Sequence, residues 1–214
     1  MSIFETTRAS VRIGEDEISF ETGKLAKQAS GAVVVQSGDT KILSTATIGG
    51  LRDVDFLPLT VDIEEKATLT ARMIDRPIRP LFPKGWHYET QLVTIPMSVD
   101  QVHPYDIMAM NGASAALAIS PVPVAATVGA VRIGMLNGDF VVNPPEEDHA
   151  LLDLDLIVAG TDEASLMVEA GAEGGTEAQI LDALDIAHGE IKKITACIDE
   201  FAAKIGKEKI SVEA

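Results

Sequence analysis

One cysteine in 214 residues, Cys197, removes an internal disulfide and a cysteine-based zinc site from consideration, and a single thiol suits a reducing compartment. Aromatic residues make up 4% of the chain. Platforms for stacking bases are therefore scarce, and the core has to come mostly from Val, Ile, Leu, Ala and Met. No apolar run follows the charges of the opening MSIFETTRAS, which speaks against a secretory signal. Positive charge is short as well: 17 Lys and Arg stand against 33 Asp and Glu, a formal net charge of -16. Ile133 to Ile191 holds 14 acids and no Lys or Arg. A chain of this kind repels polyanions over long range, which argues against a broad nucleic-acid surface.

The stretch that most lacks charge is Ile107 to Val131, 25 residues without an ionised side chain. It contains Asn111, Gly112, Pro121, Pro123 and Gly129, so it reads as a buried helix followed by a buried strand, not as a membrane span. The expected setting is cytoplasmic, with no membrane partner. With 46% hydrophobic residues, the chain can bury a sizeable core as one domain or as a tightly joined pair of small ones.

What is present is a strand-led scaffold. ASVRIGEDEISFETG reads as two strands about a Gly-Glu-Asp turn, and GAVVVQSGDTKILSTATIGG as two more joined at Ser37-Gly38-Asp39. DFLPLTVDIEE continues the sheet. The period then changes: Leu69, Met73 and Ile74 share one face of a helix that Pro77 should end or kink. QLVTIPMSV reads as a strand, YDIMAMNGASAALAI as a helix whose small residues suit close contact with a sheet, and VPVAATVGAVRIGMLNGDFVVNP as two strands about an Asn-Gly turn. LDLDLIVAGT and ASLMVEAGAEGG follow as strands. A last long helix is expected from about Thr176 to Phe201, with Ile180, Leu184, Ala187 and Ile191 on its apolar face. The fold class is α+β, with a mixed β-sheet and packed helices.

Several motifs resemble sites only in outline. GAEGG, Gly171 to Gly175, lacks the lysine and the spacing of phosphate loops. Asp153 and Asp155 alternate in LDLDL and could share one side of a strand, where paired carboxylates hold divalent cations, but alternation also arises when Leu152, Leu154 and Leu156 face a core. His87, His103, His149 and His188 match no metalloprotease or serine-elbow spacing, and His188 reads as a packing residue. Trp86 and Tyr88 read as a local core cover.

The basic helix-turn segment from Lys66 to Lys84 is the exception to the charge pattern, with five basic residues and one acid. Arg72 and Arg76 lie four apart and share a helix side; Arg79 lies beyond Pro77, and its direction is not set by spacing. Arg72, Arg76 and Arg79 are the candidate RNA- or phosphate-binding residues. A planar guanidinium gives two parallel hydrogen bonds to a phosphate, and Pro77 and Pro80 restrict the backbone that carries it. For Arg76 and Arg79 the competing account is ordinary surface charge, or an internal ion pair with Asp75 or the acidic loops.

LTARMIDRPIRPLFPKG resembles the signature of the first RNase PH-like core of the bacterial polynucleotide phosphorylase family. The similarity begins near FETGKLAKQASGAVVV and continues through VHPYDIMAMNGASAALAIS, GAVRIG, VVNP, LDLDLIVAGT and AHGEI, so it covers nearly the whole chain, residues 1–214. The resemblance implies an RNase PH-like domain of the ribosomal protein S5 domain 2-like type. It also implies membership of a nucleotidyltransferase, a phosphorolytic 3′-to-5′ exoribonuclease of mRNA catabolism. That enzyme passes terminal nucleotides to inorganic phosphate and releases nucleoside diphosphates. The implied partners are single-stranded RNA, further copies in a homotrimer with a pseudo-hexameric ring, and an RNA-degradation assembly.

This chain departs from the active core of that family at several positions. Pro104, Tyr105 and Asp106 stand where a serine-rich phosphate loop would fall. Asp155 matches one aspartate of the active core, but His149 and Ile157 occupy the places of its other aspartate and its lysine. Catalytic residues are therefore left unassigned and no metal ligand is expected here; the Mg2+ of the parent enzyme is expected in a second core. That second core, the helical linker, and the KH and S1 modules have no counterpart in these 214 residues. VDIEE also passes directly into KATLTARM, where first cores carry an RNA-gripping loop: a natural shortening, an engineered deletion or a missing flexible stretch would each produce this. A free-standing phosphorolytic RNase PH-like enzyme and a purely structural partner-binding core remain as alternatives.

Overall fold

Strict alternation in GAVVVQS and TKILSTAT turns Val33, Val35, Ile42 and Ala46 to one side of a sheet, where all four are fully buried. The structure is a computed structural model that describes residues 5–64, 68–172 and 175–212. Its first sheet holds β1 (Thr7–Ile13), β2 (Asp16–Thr22), β3 (Gly31–Ser37), β4 (Thr40–Leu51), β5 (Leu59–Ile63) and β6 (Tyr88–Ser98), in the order β1-β2-β3-β4-β6-β5. Every pair is antiparallel except β5 with β6. Between those two strands lies α1 (Thr68–Ile78), the crossover that a parallel pair requires, followed by a 3-10 turn, Arg79–Leu81.

The inner face of this sheet is covered by α2 (Tyr105–Ile119), in which every residue from Ile107 to Ile119 is buried. Gly112 makes the approach possible: a Cβ there would stand 2.5 Å from Ser44 Oγ and 3.0 Å from a Val35 methyl. On its other side, α2 is fixed to the second sheet by Asn111. The Asn111 side chain donates to the Ala130 carbonyl (3.0 Å) and accepts from the Ala130 N–H (2.8 Å), so it acts as a short piece of strand. Ser114 Oγ accepts from the Val128 N–H in the same way.

The second sheet is antiparallel, ordered β10-β9-β7-β8 from β7 (Gly129–Leu136), β8 (Asp139–Val142), β9 (Leu154–Gly160) and β10 (Ser165–Ala172). The chain closes with α3 (Glu177–Ile205), whose N-terminus is a capping box between Thr176 and Gln179. Its buried stripe runs through Ala183, Ala187, Ile191, Ile194, Ile198 and Phe201, while Ile180 and Leu184 are half-buried. Lys209 then reaches back to the C-terminus of α2, donating to the carbonyls of Leu117, Ala118 and Ser120.

The mixed α+β reading holds, with two refinements. The strands divide between two sheets instead of one, because α2 is apolar all round and needs cover on both sides. Pro77 lies inside α1, one residue before its end: near a helix C-terminus the missing N–H costs a single hydrogen bond, and the chain tightens into a 3-10 turn. Among the described residues no helix is long and apolar enough to cross a membrane.

Candidate functional site

The arginines of the basic segment take three different positions. Arg79 turns inward. Its Nε and Nη2 donate to the two carboxylate oxygens of Asp75 at 2.9 and 2.6 Å, Nη2 also donates to the Leu59 carbonyl at 3.1 Å, and Nη1 donates to the Leu57 carbonyl at 3.4 Å. The side chain thus joins α1 to the segment entering β5. Arg76 is exposed on α1 and lies 3.8 Å from Glu169 of β10, an ion pair too long for a hydrogen bond. Arg72 is exposed and has no hydrogen bond or ion pair among the described residues. Lys66 lies outside the described residues, as do Glu65, Glu173 and Gly174.

Trp86 serves packing. It is 2% exposed, its Nε1 donates to Thr90 Oγ1, and its ring meets Phe82 and Tyr88.

Next to α1 the structure assembles a second charged group. Arg132, in the middle of β7, is 8% exposed. Its Nη2 donates to Asp106 Oδ2 at 2.9 Å, in the first turn of α2, and its Nε stands 3.5 Å from Asp155 Oδ1 on β9. Its Nη1 lies 2.6 Å from His149 Nδ1. The tautomer of His149 follows from its other nitrogen: Nε2 faces the Pro144 carbonyl at 3.1 Å, and a carbonyl only accepts. Nε2 therefore carries the hydrogen, and Nδ1 accepts from the guanidinium. Arg132 Nε and Asp155 Oδ1 are buried and make no hydrogen bond among the described residues.

These groups border a pocket of about 400 Å³ between α1 and the β9–β10 pair, lined by Thr70, Met73, Asp106, Arg132, Asp155 and Glu169. Arg76 stands at its margin through Glu169. Asp153 does not join Asp155. It precedes β9, is exposed, and spends its N–H on the Met135 carbonyl. Leu154 and Leu156 meanwhile are fully buried, the core-facing alternative for LDLDL.

The donor set does not suit a divalent cation. A magnesium ion needs several oxygen ligands, and here a fixed guanidinium already stands against both carboxylates. Among the described residues no group of three or more His, Cys, Asp or Glu could hold a metal.

The loop ahead of α2 is pinned as well. Asp100 Oδ1 accepts from the backbone N–H groups of Val102 and His103 and from Thr40 Oγ1, and Oδ2 lies 2.7 Å from His103 Nδ1. Burial opposes ionisation of this carboxyl, but the bonds from His103, Val102 and Thr40 together outweigh it and hold its pKa well below the usual carboxylate range.

Sequence reasoning did not single out Arg132, and it met Asp106 only as a departure from a serine-rich phosphate loop. A signal was present in GAVRIG: a lone arginine amid apolar residues of a strand buried on both faces needs a partner at once.

Residues 16–123 match the 3′ exoribonuclease family, domain 1, and residues 126–190 match its domain 2. The division falls between the two sheets. The chain is 42% identical over 222 aligned residues to the polyribonucleotide nucleotidyltransferase of Halothermothrix orenii, covering 94% of this chain and 32% of that protein. It is 45% identical over 217 residues to that of Finegoldia magna, covering 90% and 30%. The chain thus spans about a third of the length of the relatives it matches. Both aligned lengths exceed 214 residues, so these relatives carry internal residues with no counterpart here. Among solved structures, rice Rrp46 superposes with a TM-score of 0.67 at 13% identity, over 95% of this chain and 94% of that one. An archaeal exosome core superposes with a TM-score of 0.68 at 16% identity, over 92% and 87%. These two likenesses show the fold.

Proposed function

Because the chain belongs to the 3′ exoribonuclease family and carries both of its RNase PH domains, we propose that it serves a polynucleotide phosphorylase as its first, non-catalytic RNase PH-like core. In this reading the whole enzyme passes the 3′-terminal nucleotide of single-stranded RNA to inorganic phosphate and releases a nucleoside diphosphate. This core contributes contacts to RNA and a place in a ring of copies. The Mg2+ of the reaction belongs to another part of the enzyme.

The observation that carries the reading is the position of Arg132. Phosphoryl transfer needs cationic groups free to meet the migrating phosphoryl charge, and carboxylates free to hold a metal. Here Arg132, the one buried cation among the described residues, already stands against Asp106 and Asp155, with His149 and Ile157 beside them. The exposed cations nearby are on α1: Arg72, and Arg76, which meets the pocket's margin only through Glu169. An exposed guanidinium gives bidentate, base-independent bonds to the RNA backbone, and Arg79, braced on Asp75, holds the segment that carries them.

The test is chromatographic detection of nucleoside diphosphates from single-stranded RNA and phosphate, with Mg2+ supplied. The expected result for this chain is no release. Release that disappears in Asp155→Asn would overturn the non-catalytic assignment and favour a free-standing phosphorolytic enzyme.

A further inference from the structure

Cross-strand register sets Ser19 of β2, Gln36 of β3 and Lys41 of β4 side by side in one polar row, on the face of the six-stranded sheet away from α2. The row borders a groove of about 270 Å³, edged by three exposed cations: Arg8 of β1, Lys24 in the loop after β2, and Lys41. Lys24 and Lys41 make no hydrogen bond or ion pair among the described residues. Arg8 donates from Nη2 to Ser19 Oγ at 3.0 Å, and Ser19 Oγ donates in turn to the Gln36 carbonyl at 3.4 Å. That bond aims the guanidinium along the row and occupies one of its five N–H groups. Gly23 has φ +97, and a Cβ there would lie 2.2 Å from the Glu5 carbonyl oxygen, so glycine is required for the turn that carries Lys24 to the groove.

The single acid in the lining is Glu21, opposite Arg8 in the register but in no ion pair with it among the described residues. Three cations against one acid reverse the sign of a chain whose net charge is -16. The pocket beside Arg132 has the opposite balance, three carboxylates against one guanidinium. Cations gathered on a sheet repel one another, and a multivalent anion between them turns that repulsion into attraction.

We infer that this groove binds a compact oligophosphate, with two or three linked phosphate groups held by Arg8, Lys24 and Lys41. This goes beyond the proposed function, which places no ligand on this face. The guanidinium fork takes two oxygens of one phosphate, and the two ammonium groups, acting as point charges, neutralise the rest. A monoanion would leave two of the three cations unmatched. The same chemistry is offered by inorganic pyrophosphate or triphosphate and by the diphosphate of a nucleoside diphosphate. RNA is the weaker fit: the lining has no aromatic ring on which a base could stack, and a polymer carries its further phosphates out over an acidic protein.

Isothermal titration calorimetry with sodium triphosphate, at fixed ionic strength in buffer freed of metal by a chelating resin, reads the site directly. Wild-type chain should show saturable binding at one site per chain. Lys24→Gln and Lys41→Gln should each weaken it by about 3-fold, the scale of an exposed ion pair. Arg8→Gln should weaken it by about 10-fold, because the charged fork is lost, and the triple variant should show no saturation. Arg76→Ala, on α1, should leave the affinity unchanged. All these positions are exposed, and circular dichroism checks that each variant keeps its fold. Pyrophosphate and ADP separate the two sources: equal or weaker binding of ADP assigns the site to the phosphate chain itself, and tighter binding that is lost in Lys41→Gln assigns it to a nucleoside diphosphate. Absence of saturable triphosphate binding to wild type overturns the proposal. So does binding that survives in the triple variant, or that falls with Arg76→Ala and thereby moves the anion to α1. Single-stranded RNA that needs Lys41 for binding and is not displaced by triphosphate would give the groove to a polymer, which overturns it as well. None of these measurements reports turnover, so this inference and the catalytic reading fail separately.

Discussion

Arg76 and Arg132 are both arginines of an acidic chain, and the fold treats them in opposite ways. Arg76 stands in a cluster of basic residues, keeps its guanidinium in solvent and has one distant partner, Glu169. Arg132 stands alone in an apolar run, is buried, and gathers Asp106, Asp155 and His149 from three other segments of the chain. The difference teaches that charge density along a sequence and charge placement in a fold carry different information. Clustered cations announce a surface; a solitary cation in a buried strand announces a network.

The largest effect should come from breaking that network. Arg132→Met keeps much of the side-chain volume but leaves the half-buried Asp106 without its cation, strips the orphaned Asp155 Oδ1 of its nearest positive charge, and removes the donor to His149. Losing one member of a buried ionic group costs about 3–5 kcal/mol. Because Asp155 is about one-third exposed, the lower end of that range, near 3 kcal/mol, is the expected loss in denaturant unfolding. Asp106→Asn, which retains a hydrogen-bond acceptor for Nη2, should cost less. Equal stabilities for Arg132→Met and wild type would show that the guanidinium contributes no net stabilisation.

Much of the scaffold was legible because it follows local chemistry. The helix expected in YDIMAMNGASAALAI is α2 from end to end, and the Gly-Asp and Asn-Gly turns fall where strand pairs β3–β4 and β7–β8 reverse. The separation into two sheets was not legible, because it depends on which strands choose each other across α2. Nor did spacing reveal the direction of Arg79, since two prolines and a 3-10 turn lie in its path. In the candidate site, Asp155 was visible as part of an alternating strand. Its partner Arg132 was not, because the two are brought side by side only by the β7–β9 pairing.

Arg79 tests the middle of the comparison, a clustered arginine with internal partners. Its fork matches both oxygens of Asp75 and still reaches two carbonyls, a geometry that a lysine ammonium does not reproduce. Arg79→Lys should therefore behave much like Arg79→Ala, each losing about 1 kcal/mol, a value kept small because the side chain is 41% exposed. Thermal melts of the two variants check this. Full retention of stability in Arg79→Lys would mean that charge alone, without the planar fork, holds the segment entering β5.

The smallest effect on stability belongs to Arg76, and it is where the two kinds of arginine separate most clearly. Arg76→Ala removes one exposed ion pair at 3.8 Å, so its unfolding free energy should stay within about 0.5 kcal/mol of wild type. If α1 contacts the RNA backbone, the same substitution together with Arg72→Ala should weaken binding of single-stranded RNA several-fold. The weakening should be similar for different base compositions, because phosphate contacts carry no sequence information. The salt dependence supplies the sharper reading. Removing one phosphate neutralisation lowers the slope of log affinity against log salt by about 0.7 for a single strand, so the double variant should be measurably flatter than wild type. An unchanged slope with unchanged stability would leave Arg72 and Arg76 as solvated charges on a helix, and the RNA-binding surface would have to be sought elsewhere on the chain.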